Sequence, residues 1–305
     1  MNELKIDIKG NEKVYILGHT DFDGTASSAL IIKAFHLQNY KVLWQDPSQE
    51  FPTIDGDKIF IVDVAFTQKT FGSLKNLKAK EIYWFDHHRP FVDVSTLTFP
   101  GNVQIFLDPA SPSNTLLVKR FFGLKDALSE KIATIATKAD TWQIDSPEIQ
   151  DWMDVVAGAV YYHENPEKVV RALETISLKD VQDILQKYRA EKELAKQELL
   201  KHTIVQEIHG HTFAVGLSPE ILTGSEAGAL LKEATNSEVQ VVLKKEGWMS
   251  FRRAKNSTVN LLEIAKLFNG GGHEYASGGE LGKTVSSENF PEIAEEIFEK
   301  IASAL

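Results

Sequence analysis

Ile59-Phe60-Ile61-Val62-Asp63-Val64 is apolar on both faces until a carboxylate interrupts it, and that run decides the fold. A strand wetted on one side alternates polar and apolar residues. A run without alternation suits a strand covered on both faces, as in a parallel sheet. Residues 14–17 (VYIL), 42–44 (VLW), 82–85 (IYWF) and 103–107 (VQIFL) are similar. Helical spacing appears between them, as over residues 25–37, where Ala26, Ala29, Leu30, Ala34 and Leu37 form a stripe that Lys33 interrupts. The first half is expected to be a doubly wound, mainly parallel α/β domain. His19, Asp63, Asp86 and Asp108 stand at the strand ends. Such sheets bind ligands beyond the carboxyl ends of their strands, so these four are expected to face one crevice.

Residues 113–140 read as helical, with Ser113 as N-cap and an amphipathic segment over 130–139. Residues 177–202 read as one long charged helix whose single apolar stripe is Val181, Ile184, Leu185 and Tyr188. That helix either connects two domains or contributes a dimer contact. A second composition begins near Thr203. Strands are expected over 212–217, 239–243 and 248–253, with a hairpin turn at Lys245-Glu246-Gly247. A short helix over 261–268 and a C-terminal amphipathic helix over 290–305 complete it. The expected organisation is an N-terminal domain over 1–176, a linker helix over 177–202 and a smaller α/β domain over 203–305.

Two domains agree with a length of 305 residues. Lys and Arg number 33 against 43 Asp and Glu, a net charge of −10, which disfavours coating of long duplex DNA or of an anionic membrane. The chain has no Cys, which excludes disulfides, thiolate zinc sites and a Cys nucleophile. The opening MNELKIDIKGNEK lacks an apolar core, so no secretory signal is expected. No stretch approaches the ~20 apolar residues of a membrane span, and a cytoplasmic location is expected.

His19-Thr20-Asp21-Phe22-Asp23-Gly24 places three metal-ligand types in five residues. Alternation puts His19, Asp21 and Asp23 on one side of an extended segment, and Gly24 permits a turn into the next helix. Asp23 alone would read as a helix cap. Asp63 ends an apolar strand, where a carboxylate is costly unless paired or bound to a cation; alone it would equally cap a turn. In Asp86-His87-His88 the neighbouring imidazoles point apart, so one is a candidate ligand and the other can face substrate, with Asp86 fixing a ring tautomer. Asp140 closes a helical segment and alone would read as a surface Asp. Mixed oxygen and nitrogen donors suit Mn²⁺, with Mg²⁺ or Co²⁺ as alternatives, and the carboxylate count suffices for two ions.

Asn269-Gly270-Gly271-Gly272-His273-Glu274-Tyr275 is the last constellation. Consecutive glycines expose backbone N–H groups that can form an anion nest, and His273 adds a donor. Arg252 and Arg253 lie upstream on an expected strand and point to opposite faces, so one can reach the same anion. Lys244, Lys245, Arg252, Arg253 and Lys255 form a small basic cluster that suits a short oligonucleotide.

In this order the motifs resemble the DHH phosphoesterase superfamily, in the subfamily with a C-terminal DHH-associated domain: His19-x-Asp21-x-Asp23-Gly24-x-x-Ser27, Asp63, Asp86-His87-His88 and Asp140, then Ser250-x-Arg252 and Gly270-Gly271-Gly272-His273. The resemblance implies two Mn²⁺ ions at a cleft between domains. His19 and Asp21 would bind one ion, Asp23, His87 and Asp140 the other, and Asp63 would bridge. His88 would meet the phosphoryl group or the attacking water, with Asp86 orienting a histidine. Arg252, Gly270, Gly271, Gly272 and His273 would hold the phosphate or terminal nucleotide. The implied activity is hydrolysis of short single-stranded RNA or DNA, or of dinucleotides, to nucleoside 5′-monophosphates. A RecJ-like 5′-to-3′ exonuclease, a cyclic-dinucleotide phosphodiesterase and a non-catalytic nucleotide sensor are the alternatives. The glycine-rich segment argues against the type II pyrophosphatase branch. Glu274 and Tyr275 depart from the small residues typical of relatives; Tyr275 either stacks on a base or packs in its own domain's core.

Overall fold

The computed structural model describes residues 6–90 and 97–305. The chain divides into two compact units, Met1–Tyr188 and Arg189–Leu305. In the first, β1 (Val14–Gly18), α1 (Phe22–Phe35), β2 (Tyr40–Trp44), β3 (Ile54–Asp55), β4 (Lys58–Val62), α2 (Gln68–Gly72), β5 (Leu77–Lys78), β6 (Glu81–Asp86) and β7 (Val103–Leu107) precede α3 (Asn114–Phe121), α4 (Ala127–Asp140), α5 (Pro147–Tyr161) and α6 (Pro166–Leu173). Five strands form a parallel sheet in the order β2-β1-β4-β6-β7, while β3 and β5 make a separate two-residue pair.

Alternate residues of the buried strands supply two different cores, which is why these strands lack polar alternation. Ile16, Phe60, Val62, Tyr83 and Phe85 join one cluster. Leu17, Ile59, Ile61, Ile82 and Trp84 join the other. There Phe66 stacks on Trp84 with ring centroids 4.0 Å apart. Burying a side chain of this size contributes about 1.5–3 kcal/mol. The strand order reverses at β1, which lies between β2 and β4. The crevice of such a sheet opens at that reversal, at the carboxyl ends of β1 and β4, where His19 and Asp63 follow.

Several boundaries differ from expectation for local reasons. Helix α1 begins at Phe22 rather than Thr25, because Asp21 caps it by accepting the Gly24 N–H at 2.9 Å. The helical span over 113–140 is two helices, broken after α3 where Gly123 takes a φ of 63°. Ser113 does cap α3, accepting the Leu116 N–H. The long charged helix is a 3₁₀ turn, Leu178–Val181, followed by α7 (Gln182–Lys201). Its apolar stripe is not a dimer contact: Val181, Ile184 and Leu185 are buried in the first unit's core, and Tyr188 packs on Gly158 of α5.

The second unit contains β8 (Thr203–Ile208), β9 (His211–Leu217), α8 (Gly224–Thr235), β10 (Val239–Leu243), β11 (Trp248–Arg253), α9 (Leu261–Lys266), β12 (Gly271–His273), β13 (Ala276–Glu280) and α10 (Phe290–Ala302). Its sheet runs β12-β13-β11-β10-β9-β8, with only β9 and β10 parallel. The β10–β11 hairpin turns at Gly247, where φ is 90°. Among the described residues no helix is long and apolar enough to cross a membrane.

Candidate metal centre

Three strand ends and one helix end of the first unit bring the six expected ligands together. Imidazole and carboxylate atoms fall into three groups, each with its ligating atoms within 4.8 Å of one another: His19, Asp21 and Asp63; Asp23, His87 and Asp140; and Asp63, His87 and His88. Asp63 is common to two of them. It follows β4, is 1% exposed, and has a φ of 63°. A short acidic side chain tolerates that left-handed conformation better than most. Its Oδ2 lies 3.7 Å from His19 Nδ1 and its Oδ1 lies 3.4 Å from His87 Nε2. Both Asp63 oxygens, His19 Nδ1 and His87 Nε2 are buried and make no hydrogen bond of good geometry.

The backbone holds each ligand in place. Gly24 is required by a close approach: a Cβ there would lie 2.4 Å from the His19 nitrogen. Its role is therefore space for His19 rather than a turn, since it sits within the first turn of α1. Asp23 reaches the start of α3, where its oxygens accept the N–H groups of Asn114 at 2.6 Å and Thr115 at 2.9 Å. Helix N-termini favour such an anion. Asp23 Oδ2 also lies 3.7 Å from His87 Nε2. The His87 Nδ1–H donates to the Ser111 carbonyl at 3.1 Å, which turns Nε2 inward toward Asp63 and Asp140. Asp86, fully buried, orients the other imidazole: its Oδ1 lies 2.8 Å from His88 Nδ1. Asp108 departs from expectation, because it caps a turn by accepting the Ala110 N–H at 3.1 Å and joins none of the three groups.

The electrostatics are those of a cavity with surplus negative charge. Burial, then the neighbouring carboxylates, push Asp23 well above the usual carboxylate range and raise Asp63. Burial pushes Asp140 up to about 6. Burial also works to raise Asp21, but His19 and the Gly24 N–H outweigh it and hold the group below the usual range. For His19 burial pulls downward, yet Asp21 and Asp63 hold it at about 11. His87 is likewise held at about 10 by Asp63 and Asp23 against burial. His88 is raised, with Asp86 and Asp63 outweighing burial. Clustered carboxylates, inward ring nitrogens and buried oxygens without hydrogen bonds fit a bound divalent cation. The residues present form three groups that could each contribute to holding a divalent metal ion.

In the second unit, cross-strand pairing puts His273, Ala276 and Arg252 in one row across β12, β13 and β11. Directly opposed residues share a face, so His273 and Arg252 are on the same one. Arg252 donates to the Phe251 carbonyl at 2.9 Å and to Ser225 Oγ at 3.3 Å. The glycine run is a short strand rather than an open nest. Gly270 N–H donates to the Ala265 carbonyl, Gly271 to His273 pair with β13, and a Cβ on Gly272 would lie 2.8 Å from the Ala276 carbonyl. Tyr275 is not in the core: it is 58% exposed and stacks on His273 with centroids 5.3 Å apart. The basic cluster is smaller than its sequence suggests. Lys244 donates to the Pro219 and Leu222 carbonyls, and Arg253 to those of Ser257 and Val259.

Residues 13–139 match the DHH family, N-terminal domain. No curated protein matches the chain in sequence. Among solved structures, the pGpG-specific phosphodiesterase PggH from Vibrio cholerae is similar at 16% identity and a TM-score of 0.59, covering 96% of this chain and 100% of that one. An exonuclease RecJ bound to manganese is similar at 17% identity and a TM-score of 0.58, covering 98% and 96%. RecJ in complex with Mn²⁺ from Thermus thermophilus, at 17% identity and a TM-score of 0.59, is covered over only 52% of its length by 96% of this chain. At these identities the likeness is one of fold. Lys13 to Ala139 of the N-terminal unit thus match the N-terminal domain of the DHH family, and over 96–98% of its length the chain shares the fold of these phosphodiesterase and exonuclease structures.

Proposed function

We propose that this chain is a two-metal phosphodiesterase that hydrolyses short single-stranded oligonucleotides or dinucleotides to nucleoside 5′-monophosphates, with Mn²⁺ as its working ion. One observation carries the reading. The two buried oxygens of Asp63 face different imidazoles, His19 and His87, and make no hydrogen bond of good geometry. That disposition supports a role in which Asp63 would serve both ions. His19 and Asp21 would hold one ion, and Asp23, His87 and Asp140 the other. Bound there, the ions supply a deprotonated water at neutral pH and neutralise charge on the phosphoryl oxygens.

The remaining residues bind and orient. Asp86 takes the Nδ1–H of His88, which leaves His88 Nε2 as the nitrogen free to bond a phosphoryl oxygen or a proton of the attacking water. The Ser111 carbonyl and the first amides of α3 fix His87 and Asp23, so neither must reorganise during reaction. Residues 1–176 would form the catalytic domain, 177–202 a linker helix and 203–305 the substrate domain. In that last domain Arg252, Gly270, Gly271, Gly272 and His273 would hold the terminal nucleotide. A dinucleotide substrate agrees with the fold shared with PggH, a phosphodiesterase specific for the dinucleotide pGpG.

The test is hydrolysis of 5′-labelled RNA and DNA from two to about twenty-four nucleotides, with Mn²⁺ and with chelator, resolved by product length. Rapid Mn²⁺-dependent cleavage confined to the shortest substrates is expected. Stepwise degradation of the long DNA would instead make the chain a RecJ-type exonuclease. Nucleotide binding without turnover would make it a sensor.

A further inference from the structure

Neither the core nor the metal centre accounts for Trp142. Helix α4 ends at Asp140, and the chain leaves it through Thr141 and Trp142. Trp142 N–H donates to the Ala139 carbonyl at 3.2 Å and Gln143 N–H to the Lys138 carbonyl at 2.8 Å. These are the paired bonds of a Schellman closure, and Trp142 occupies its left-handed position with a φ of 56°. Glycine is the usual residue there, because a Cβ strains the left-handed backbone. An indole at that position is unfavourable locally, and burial does not offset it. The side chain is 57% exposed and lies outside both hydrophobic clusters of its unit. Two residues away, Asp140 Oδ2 lies 3.7 Å from His87 Nε2 in the metal centre. A bulky aromatic is thus kept exposed in a strained conformation two residues from a candidate ligand of the metal centre.

We propose that Trp142 stacks on a nucleobase of the nucleotide whose phosphate is held at the metal centre, so that this centre takes nucleoside phosphates in preference to base-free phosphoesters. This rests on the phosphodiesterase reading above. An indole offers a flat, uncharged π-face, and here 57% of the residue's surface is open to a partner. A planar heteroaromatic ring is the complementary surface, and stacking tolerates any base because every base has such a face.

The test uses the full chain with Mn²⁺ and compares the wild type with Trp142→Gly and Trp142→Phe. Binding of AMP and of ribose 5-phosphate is measured, together with Tm and turnover of the dinucleotide pApA. The wild type should bind AMP about 5- to 150-fold more tightly than ribose 5-phosphate, and Trp142→Phe should keep most of that preference. Trp142→Gly should lose most of it while its Tm holds or rises, because glycine suits the closure. A merely structural role predicts the reverse, a lower Tm with the preference intact, and that result would overturn the inference. So would a wild type that turns over pApA yet binds both ligands equally. Should the wild type bind neither ligand and leave pApA intact, the phosphodiesterase reading falls, and the inference falls with it.

Discussion

Asp63 Oδ1 faces His87 Nε2 at 3.4 Å from the neighbouring strand end, and neither atom makes a hydrogen bond of good geometry. Two buried polar atoms this close without a proper bond are expensive unless a third partner sits between or beside them. Asp63→Asn keeps the shape and suits the left-handed backbone, but it removes the charge that a shared cation needs. Turnover with Mn²⁺ should fall by at least about 100-fold, since even residues that only support metal ligands are worth 10- to 100-fold. The metal-free variant should be as stable as the wild type or more so, because one buried carboxylate is gone. Near-wild-type kcat in Asp63→Asn would remove the bridging assignment.

Metal affinity should depend on pH in a definite direction. Without a cation, His19 and His87 are held protonated up to about 11 and 10, and Asp140 up to about 6. A cation ligated by these groups must displace their protons, so binding releases protons and tightens as pH rises. From pH 5 to 7 the gain includes the Asp140 proton; the imidazoles contribute across the whole range, and the raised Asp23 and Asp63 add to it. Calorimetry of Mn²⁺ binding in buffers of different ionisation enthalpy measures the protons released. No release between pH 6 and 8 would count against ligation by these imidazoles.

The sequence made the candidate side-chain ligands legible and left their supports hidden. His19, Asp21 and Asp23 stand out because alternation after a strand puts three donors on one side. The pieces that fix Asp23 and His87 are backbone groups, the amides of Asn114 and Thr115 and the carbonyl of Ser111. Backbone atoms carry no residue signature, and a contact 92 positions apart leaves no local trace. Asp108 shows the opposite error. It occupies a strand end just as Asp86 does, but its carboxylate turns back to its own loop. Strand position predicts where a side chain starts and not where it points. Lys244 and Arg253 fail as anion ligands for a related reason, since carbonyls of neighbouring loops claim their donors.

Asp86→Asn tests the orientation of His88. The carboxylate accepts the His88 ring N–H and is among the groups that raise the imidazole. The amide can present its oxygen but no charge, so the ring loses part of its support and its pKa falls. For a raised histidine the charged form is lost as pH rises through the folded value; lowering that value moves the loss to lower pH. The kcat profile should therefore shift its His88-dependent limb downward, with kcat reduced roughly 10- to 100-fold and KM little changed. A uniform drop without any shift of the limb would point to a structural role for Asp86.

Arg252 differs from its neighbour in what it lacks. Arg253 has Glu274 within 3.8 Å as well as two carbonyl acceptors. The Arg252 guanidinium meets only the Phe251 carbonyl and the Ser225 hydroxyl, and among the described residues no carboxylate pairs with it. Burial pushes it below its ordinary value, as expected of a cation without a counter-charge. Its aliphatic stem packs over Gly228 of α8, so the guanidinium sits on a fixed base and shares its sheet face with His273. A substrate phosphate would supply the missing charge in both ground and transition states. Arg252→Ala should consequently raise KM about tenfold or more while changing kcat less, and Arg252→Lys should recover only part of the loss because it cannot present a bidentate fork. Steady-state kinetics on a dinucleotide decides it: a KM unchanged in Arg252→Ala would take the phosphate contact away from this residue.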